Sequence, residues 1–320
     1  VNYRKRSSVS INVFLSKKLP KKRDNILSAI LFNSKISFSN NILSTGISCV
    51  DQKDIYEIWE VDGIVEQKKF NKINIAKSKD YIFGFSIIEK TGTFEELKLK
   101  IKNEYAEIFK IIKQEKMDII KIWHYFPDLL KSYSDKKTNY SLLCEAREII
   151  FKDYYTDFSY PAATVIGIEG DKILIYFLAA SCKKYDVIEN KRQVSSYDYP
   201  QNIFFEKPMF SRAVKFISKS CGGEKIVISG TASIKGYETM HSAEVLKQLD
   251  EALRNYKTFV GIKNNSTNIC RIYLSKSQEN NYSDIVKKLD KEFDNNQYLI
   301  LKGDICRKDL LIELEGISNA

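Results

Sequence analysis

Residues 81–126 read YIFGFSIIEKTGTFEELKLKIKNEYAEIFKIIKQEKMDIIKIWHYF, and this stretch predicts a strand, a long helix and a second strand. The apolar runs 81–88 and 119–126 have the length and composition of buried strands. Between them, apolar side chains recur every three or four residues, at Leu97, Ile101, Tyr105, Ile108 and Ile112. That spacing places them on one face, so residues 94–114 should form an amphipathic helix.

The same order of elements occurs twice along the chain, which indicates an internal repeat. The first unit continues with a helix over 140–154 and strands over 162–168 and 173–178. The second unit follows about 140 residues later. Its predicted elements are strand 226–234, helix 242–256, strand 269–274, helix 283–293 and strands 297–301 and 310–314.

The repeat predicts two like domains of α+β class, over residues 1–185 and 186–320. Each should consist of a mixed or antiparallel sheet with helices packed on one face. Extended segments at 55–61 and 202–217 precede the first strand of each half and should add antiparallel strands.

Composition and charge limit the kinds of partner that the protein is expected to bind. The chain has 320 residues, of which 43% are hydrophobic and 29% charged, as in an ordinary globular protein. A net charge of +10 could attract nucleic acid, a membrane or a small anion. The lysines are scattered and no nucleic-acid-binding motif is present, so we expect no nucleic-acid partner. No apolar run approaches the ~18 residues of a membrane span, so we expect no membrane insertion.

The six cysteines stand apart from one another and the chain has two histidines. These numbers and spacings argue against a zinc site or a disulfide framework, so we expect no metal. Isolated thiols are typical of the reducing cytoplasm, which is the expected location. No phosphate-binding loop or nicotinamide fingerprint is present, and we expect no cofactor.

The last predicted strand carries two carboxylates, Glu313 and Glu315, in an apolar setting. Side chains two residues apart on a strand lie on one face. A carboxylate held against apolar surface has a raised pKa, and its protonated form can donate a proton at neutral pH. The segment by itself leaves two interpretations open, a general acid or a solvated edge strand.

Five short blocks, in order along nearly the whole chain, resemble the chorismatases. The order of elements with a final Glu-x-Glu also resembles the RidA/YjgF-like fold. The blocks are residues 122–127 (IWHYFP), 160–164 (YPAAT), 210–213 (FSRA), 229–234 (SGTASI), and Cys306-Arg307 followed by Glu313-x-Glu315. Family members usually differ at two positions, with Asn in place of His124 and His in place of Tyr237. We expect His124 to be packed or hydrogen-bonded.

The resemblance implies an enzyme that cleaves the enolpyruvyl ether of chorismate. Its expected products are pyruvate and 3-hydroxybenzoate, because a cysteine at position 306 tends to accompany that outcome in the family. Three alternatives stay open. The same cleavage could give a dihydroxycyclohexadiene carboxylate, the protein could be a RidA-like imine deaminase or binder of small carboxylates, or it could be a basic RNA-binding module. RidA relatives often form trimers, and two fused units could replace one such interface, so we expect a monomer.

The resemblance assigns the acid to Glu313, so the C-terminal domain should carry the active site. Glu315 should orient that acid or serve the structure. Three arginines, Arg147, Arg212 and Arg307, are the expected partners of the substrate carboxylates, since arginine can bind them in bidentate fashion.

The remaining candidate residues should shape the pocket. Gly230 permits close backbone approach, and the small side chains of Thr231, Ala232 and Ser233 should leave room for the ring. Tyr160 should close the pocket or donate to a carboxylate, and Cys306 and Ala232 occupy positions that vary with product in the family.

Overall fold

The computed structural model describes residues 11–21, 24–134, 137–155, 157–200, 207–220, 223–260, 267–294 and 297–319. Within these residues the chain forms one five-stranded and two six-stranded sheets, together with four α-helices. The predicted α+β class is therefore confirmed. In the described segments, no helix is both long and apolar enough to cross a membrane.

The first sheet is a separate layer that the sequence analysis did not predict. Its strands are β1 (Ile11–Ser16), β2 (Ile26–Leu31), β3 (Ile36–Ser39), β4 (Ile42–Thr45) and β5 (Tyr56–Val61). The predicted strand 55–61 corresponds to β5, which lies between β1 and β2 rather than in the sheet of the first repeat. Both faces of β5 are covered, since Ile58 packs with Ile26 and Ala29 while Trp59 enters the central core.

The first repeat is a six-stranded sheet covered by two helices. Its elements are β6 (Glu66–Phe70), β7 (Ile73–Lys77), β8 (Tyr81–Glu89), α1 (Phe94–Gln114), β9 (Asp118–Pro127), the small hairpin β10 (Ser132–Ser134) and β11 (Lys137–Thr138), α2 (Asn139–Tyr154), β12 (Ala162–Ile168) and β13 (Lys172–Ala180). The strands of the sheet follow the order β6-β7-β8-β13-β9-β12.

The second repeat has the same design. Its elements are β14 (Cys182–Ile188), β15 (Ala213–Ser218), β16 (Glu224–Ala232), the small hairpin β17 (Ile234–Lys235) and β18 (Glu238–Thr239), α3 (Val245–Val260), β19 (Thr267–Leu274), α4 (Tyr282–Leu289), β20 (Tyr298–Lys302) and β21 (Ile312–Asn319). Its strand order, β14-β15-β16-β21-β19-β20, matches that of the first sheet position by position. The internal repeat is thus confirmed.

Two differences concern the predicted borders. The predicted strand 202–217 is found only at its end, as β15, and residues 202–206 lie outside the described part of the chain. The predicted domain border at residues 185 and 186 falls within β14, which pairs with β15. The division into two domains stays a prediction.

The register defines which residues of the two repeats are equivalent. Strand β13 pairs Leu174 with Tyr125 and Tyr176 with Trp123. Strand β21 pairs Glu313 with Tyr273 and Glu315 with Arg271. Strands β9 and β19 hold the same place in the two sheets, and with Tyr125 aligned to Tyr273, Glu313 corresponds to Leu174 and Glu315 to Tyr176.

Each six-stranded sheet buries one face under its own helices and the other in a shared core. Helices α1 and α2 pack on the first sheet, and α3 and α4 on the second. The opposite faces of both sheets meet the N-terminal sheet in one central cluster, which includes Trp59, Trp123 and Tyr273. Side chains of β21 that point away from α3 therefore enter the interior between the repeats.

Candidate active site

Glu313 and Glu315 lie on the buried inner face of β21. Ile312 and Leu314, which alternate with them, pack in the cluster beneath α3. Glu313 is 5% exposed and Glu315 is 2% exposed. Strand β21 is central in its sheet, between β16 and β19. The solvated edge strand is therefore excluded.

The Glu313 carboxyl group occupies space that Gly230 leaves open. A Cβ atom at position 230 would lie 2.0 Å from Oε1 of Glu313. On the neighbouring strands, Ala232 and Tyr273 are the residues opposite Glu313. Among the described residues, none donates a hydrogen bond to this carboxyl group. A group that is buried without such donors favours its neutral form.

The electrostatic surroundings of Glu313 favour a bound proton. Burial raises its pKa to about 8, and the charge of Glu315 adds to that rise, while Lys121 and Arg212 oppose it. Glu313 is therefore mostly protonated at neutral pH and can act as a general acid.

Glu315 has the opposite environment, with donors around both oxygens. Its carboxylate lies 2.8 Å from Nζ of Lys121 and 3.2 Å from Nη1 of Arg271. The indole Nε1 of Trp123 donates to it at 2.9 Å, and the hydroxyl groups of Thr164 and Tyr273 donate as well. Burial favours a higher pKa for Glu315, but Lys121 and Arg271 outweigh burial and lower it. Glu315 is therefore an anion.

Arg271 links this carboxylate to a second one in the N-terminal sheet. Its Nε and Nη2 atoms donate to Glu57 at 2.8 Å and 2.6 Å in a bidentate pair. The Nε1 atom of Trp59 also donates to Glu57, at 2.6 Å. The network thus contains two buried cations, Lys121 and Arg271, and two buried anions, Glu57 and Glu315. The charges balance, as burial requires.

Lys121, Arg271 and Glu57 were not among the residues predicted from the sequence. Lys121 and Arg271 are single basic residues inside apolar strands, β9 and β19, and that is the signal that could have identified them. A lone charge in a buried strand implies a partner. Lys121 is 194 residues from Glu315 in the sequence, and Arg271 is 214 residues from Glu57. Spacing along the sequence could therefore not identify these pairs.

Arg147, on α2, is a buried cation without a matching anion. It is 1% exposed, and within the described chain no hydrogen bond of good geometry reaches Nε, Nη1 or Nη2. Its guanidinium carbon lies 5.8 Å from the ring centre of Phe151. Burial raises the pKa of Tyr105 and the Arg147 charge opposes that rise, so the two groups are neighbours. A buried guanidinium with free donors is suited to an anionic ligand.

Arg147 lies in the same region as Cys306 and Arg307. Burial raises the pKa of the Tyr140 hydroxyl group, and Cys306, Arg147 and Arg307 all lie close enough to influence that pKa. Burial also raises the pKa of the Cys306 thiol to about 12, and Glu313 adds to that rise. The Cys306 thiol is therefore neutral and close to Glu313, which agrees with a pocket-lining role rather than with a nucleophile.

Arg212 and Arg307 flank one aromatic ring, that of Tyr199. Nη2 of Arg212 donates to the Tyr199 hydroxyl at 2.7 Å and to the carbonyl oxygen of Val194 at 2.8 Å. Its Nε atom is buried and lacks a partner within the described residues. The guanidinium carbon of Arg307 lies 5.6 Å from the Tyr199 ring centre, and Nη1 donates to the carbonyl oxygen of Tyr237 at 2.8 Å. Tyr199 is a further residue that the sequence analysis missed.

The small residues after Gly230 are buried, and their hydroxyl groups are engaged. The Thr231 hydroxyl donates to the carbonyl oxygen of Ser229, and the Ser233 hydroxyl to that of Met240, each at 2.9 Å. Each can therefore offer a substrate only an acceptor. Ala232 is 3% exposed. Their contribution to binding stays a prediction.

Tyr160 belongs to an aromatic cluster. Its ring stacks on Phe151, with centroids 5.9 Å apart, and meets Tyr197 edge to face at 5.4 Å. Phe151 is also the ring beneath Arg147. Tyr160 and Arg147 thus contact the same Phe151 ring, and the expected role of Tyr160 in binding stays a prediction.

His124 is hydrogen-bonded on both sides, as expected. Nδ1 lies 2.9 Å from the carbonyl oxygen of Thr164, and Nε2 contacts the Tyr105 hydroxyl. Burial lowers the pKa of His124 to about 3, so the ring is neutral. Across the described residues, no group of His, Cys, Asp and Glu side chains could hold a metal ion.

Comparison with known proteins agrees with this geometry. Residues 57–179 match the family model described as chorismatase FkbO/Hyg5-like, N-terminal. Over these residues the chain is similar to the chorismatase family. A chorismatase crystal structure superimposes with a TM-score of 0.85 at 22% identity, covering 97% of this chain and 98% of the other. That match confirms the chorismatase fold.

Two curated relatives extend the match over most of the chain. The 3-hydroxybenzoate synthase of Streptomyces hygroscopicus is 27% identical over 279 residues, which are 82% of this chain and 80% of the relative. The chorismatase of Streptomyces rapamycinicus is 26% identical over 300 residues, or 88% of each chain.

Proposed function

We propose that this protein is a chorismatase that cleaves the enolpyruvyl ether of chorismate and releases pyruvate and 3-hydroxybenzoate. The observation that carries the proposal is the buried Glu313 carboxyl group, which has a pKa of about 8 and lies on an inner face that also receives Lys121 and Arg212. The named activities of the relatives support the same reaction.

The chemistry requires a protonated acid. Chorismate carries a vinyl ether, and vinyl ethers are cleaved after protonation of the terminal methylene carbon. The proton leaves Glu313, the new C–H bond forms at that carbon, and positive charge develops on the carbon next to the ether oxygen. The logic resembles glycoside cleavage, in which a carboxylic acid donates the proton and an oxocarbenium-like cation follows. The resulting Glu313 carboxylate then stabilises that cation. The bond between the ring carbon and the ether oxygen breaks, and that oxygen leaves as the keto oxygen of pyruvate. The neighbouring ring hydroxyl oxygen takes its place at that ring carbon, the ring loses one proton as it becomes aromatic, and a proton returns to Glu313.

The arginines supply the counter-charges for a dianionic substrate. Within the described residues, three buried nitrogen atoms of Arg147 and one of Arg212 lack a hydrogen-bond partner of good geometry. Arginine binds carboxylates through two parallel hydrogen bonds, which fixes orientation as well as charge. We assign one substrate carboxylate to Arg147 and the other to Arg212, with Arg307 placed behind the Tyr199 ring.

The pocket residues favour the aromatic product. Pyruvate and 3-hydroxybenzoate together contain the atoms of chorismate, so this route consumes no water overall, whereas the cyclohexadiene diol requires the addition of one water molecule. Cys306 and Ala232 are small and weakly polar, and both lie near Glu313. Such a surface offers few hydrogen bonds to an attacking water.

Pyruvate release tests the proposal. Purified protein and chorismate are coupled to lactate dehydrogenase, and the second product is identified by chromatography against both standards. We expect pyruvate together with 3-hydroxybenzoate. Detection of the cyclohexadiene diol would change the assigned product but leave Glu313 as the proposed acid. Absence of pyruvate would overturn the proposal. Imine deamination and salt-sensitive RNA binding, measured on the same sample, test the other two classes. The monomeric state and the cytoplasmic location stay predictions.

A further inference from the structure

Glu315 lies close to the proposed acid but cannot itself be one. Two residues along a strand span about 6.5–7 Å, and both side chains of this pair point to the same buried face. Five groups hold Glu315 as an anion, namely Lys121, Arg271, Trp123, Thr164 and Tyr273. Arg271 and Tyr273 come from the adjacent strand β19, and Lys121, Trp123 and Thr164 come from β9 and β12 of the other sheet, so the anion is held in place near Glu313 from both sheets.

The cation of Lys121 forms an ion pair with the Glu315 carboxylate. Nζ of Lys121 lies 2.8 Å from Glu315 and donates to the Ile228 carbonyl oxygen at 2.7 Å and to the Thr164 hydroxyl at 2.8 Å. Those three contacts direct the ammonium group toward Glu315. Lys121 thus neutralises the network while Glu315 presents its negative charge along β21.

The charged groups that act on Glu313 are Glu315 on the same strand, Lys121 on β9 and Arg212 before β15. Two further titratable groups lie near it, the Cys306 thiol in the loop before β21 and the neutral Tyr273 hydroxyl group, whose residue is opposite Glu313 on β19. The thiol is neutral at physiological pH. Two cations and one anion remain, and Glu315 exerts the largest effect of the three.

We propose that Glu315 is a positioning residue, a fixed anion that keeps the proton on Glu313 until the substrate takes it. The inference rests on the proposed function of Glu313 as the general acid. Burial by itself would favour the neutral form of Glu315. The ion-pair network with Lys121, Arg271 and Glu57 stabilises the charged form instead.

Three variants separate this role from a structural one. Glu315→Gln removes the anion, Lys121→Met removes the cation, and the double variant removes both and leaves the buried charges balanced. The first measurement is the pH profile of kcat/KM for pyruvate release. The second, which needs no substrate, follows the protonated carboxyl band of each variant by infrared spectroscopy and subtracts the matching Glu313→Gln protein.

The expected pKa of Glu313 falls by about one to three pH units in Glu315→Gln, because a nearby like charge has been lost. In Lys121→Met it rises, and in the double variant it lies between those of Glu315→Gln and the wild type. The alkaline limb of the rate profile should move with it, so Glu315→Gln should recover activity as the pH is lowered.

Two results would overturn the proposal. One is an unchanged infrared midpoint in Glu315→Gln, and the other is a loss of rate that is equal at every pH. If Glu315→Gln does not fold, the charge-balanced double variant decides, and an unchanged midpoint there rejects the proposal. A wild-type protein that shows the carboxyl band but releases no pyruvate would instead reject the proposed function.

Discussion

The two six-stranded sheets share one strand order but differ at two equivalent positions of their last strands. The first repeat has Leu174 and Tyr176 where the second has Glu313 and Glu315. The first pair is apolar or neutral, and the second holds one proposed acid and one anion. The repeated fold therefore supplies a framework, and the proposed chemistry depends on two positions in one copy.

The first repeat nevertheless contributes to the site. The equivalent tyrosines Tyr125 and Tyr273 meet with hydroxyl oxygens 2.9 Å apart. Two further hydrogen bonds join the repeats. Trp123 of the first repeat donates to Glu315 of the second, and Arg271 of the second donates to Tyr176 of the first at 2.6 Å. Because equivalent residues make reciprocal contacts, the carboxylate of one repeat is held by side chains of the other. Neither repeat forms the site by itself.

Exchange of the acid gives the largest expected effect. Glu313→Gln keeps the size of the side chain but has no acidic proton, so kcat for pyruvate release should fall by roughly a thousandfold. The matched control in the other repeat is Leu174→Met, a volume-conserving core change that should leave the rate near that of the wild type. Residual activity in Glu313→Gln above a tenth of the wild type would contradict the assignment.

Arg147 tests whether the first repeat binds substrate. Arg147→Met should raise KM by about a hundredfold, because a buried charged contact is lost. The ligand-free variant should melt at the same temperature as the wild type or higher, since an unpaired buried cation is removed. The control Arg254→Met changes an exposed arginine and should leave KM unchanged. A lower melting temperature with an unchanged KM would indicate a structural role.

Gly230 tests the space that the second repeat reserves for its acid. Gly230→Ala places a methyl group in contact with the Glu313 carboxyl group, and we expect a ten- to hundredfold loss of kcat, typical of misplacement by about 1 Å. Gly223→Ala is the control, because a Cβ there meets no atom within 4 Å. Equal rates for the two variants would show that the acid tolerates displacement.

The pH dependence gives the smallest effect. Since the pKa of Glu313 is raised to about 8, the acid is protonated below that pH and loses its proton above it. The value of kcat/KM should therefore be level between pH 6 and about 7.5 and fall tenfold for each unit well above about 8. A profile that rises with pH across this range would assign the activity to a base.

The sequence predicts the repeated elements well where local signals suffice. Helix α1 has the predicted bounds because Thr93 and Glu96 form a capping box at its start. Helix α3 begins at Val245 instead of Ser242, since His241 and Ala243 adopt φ angles of 58° and 64°, which a helix excludes. Strands β1 to β4 were missed because their short, mixed segments carry little periodicity.

The residues of the candidate site also fall into those that the sequence could identify and those that it could not. The pair of carboxylates at positions 313 and 315 is visible in the sequence, because carboxylates in an apolar strand are a local signal, but the choice of Glu313 as the acid came from the resemblance to the chorismatases. The partners of Glu315 could not be predicted, because Lys121, Arg271 and Glu57 come from distant strands that only the tertiary structure brings together.

The central claim is that the Glu313 carboxyl group carries a proton at neutral pH. The most direct measurement is the infrared difference spectrum between the wild type and Glu313→Gln in the absence of substrate, recorded from pH 5 to 10. We predict a protonated carboxyl band that is present at pH 7, absent from the variant, and lost with a midpoint of about 8. A band that has disappeared by pH 6 would contradict the account.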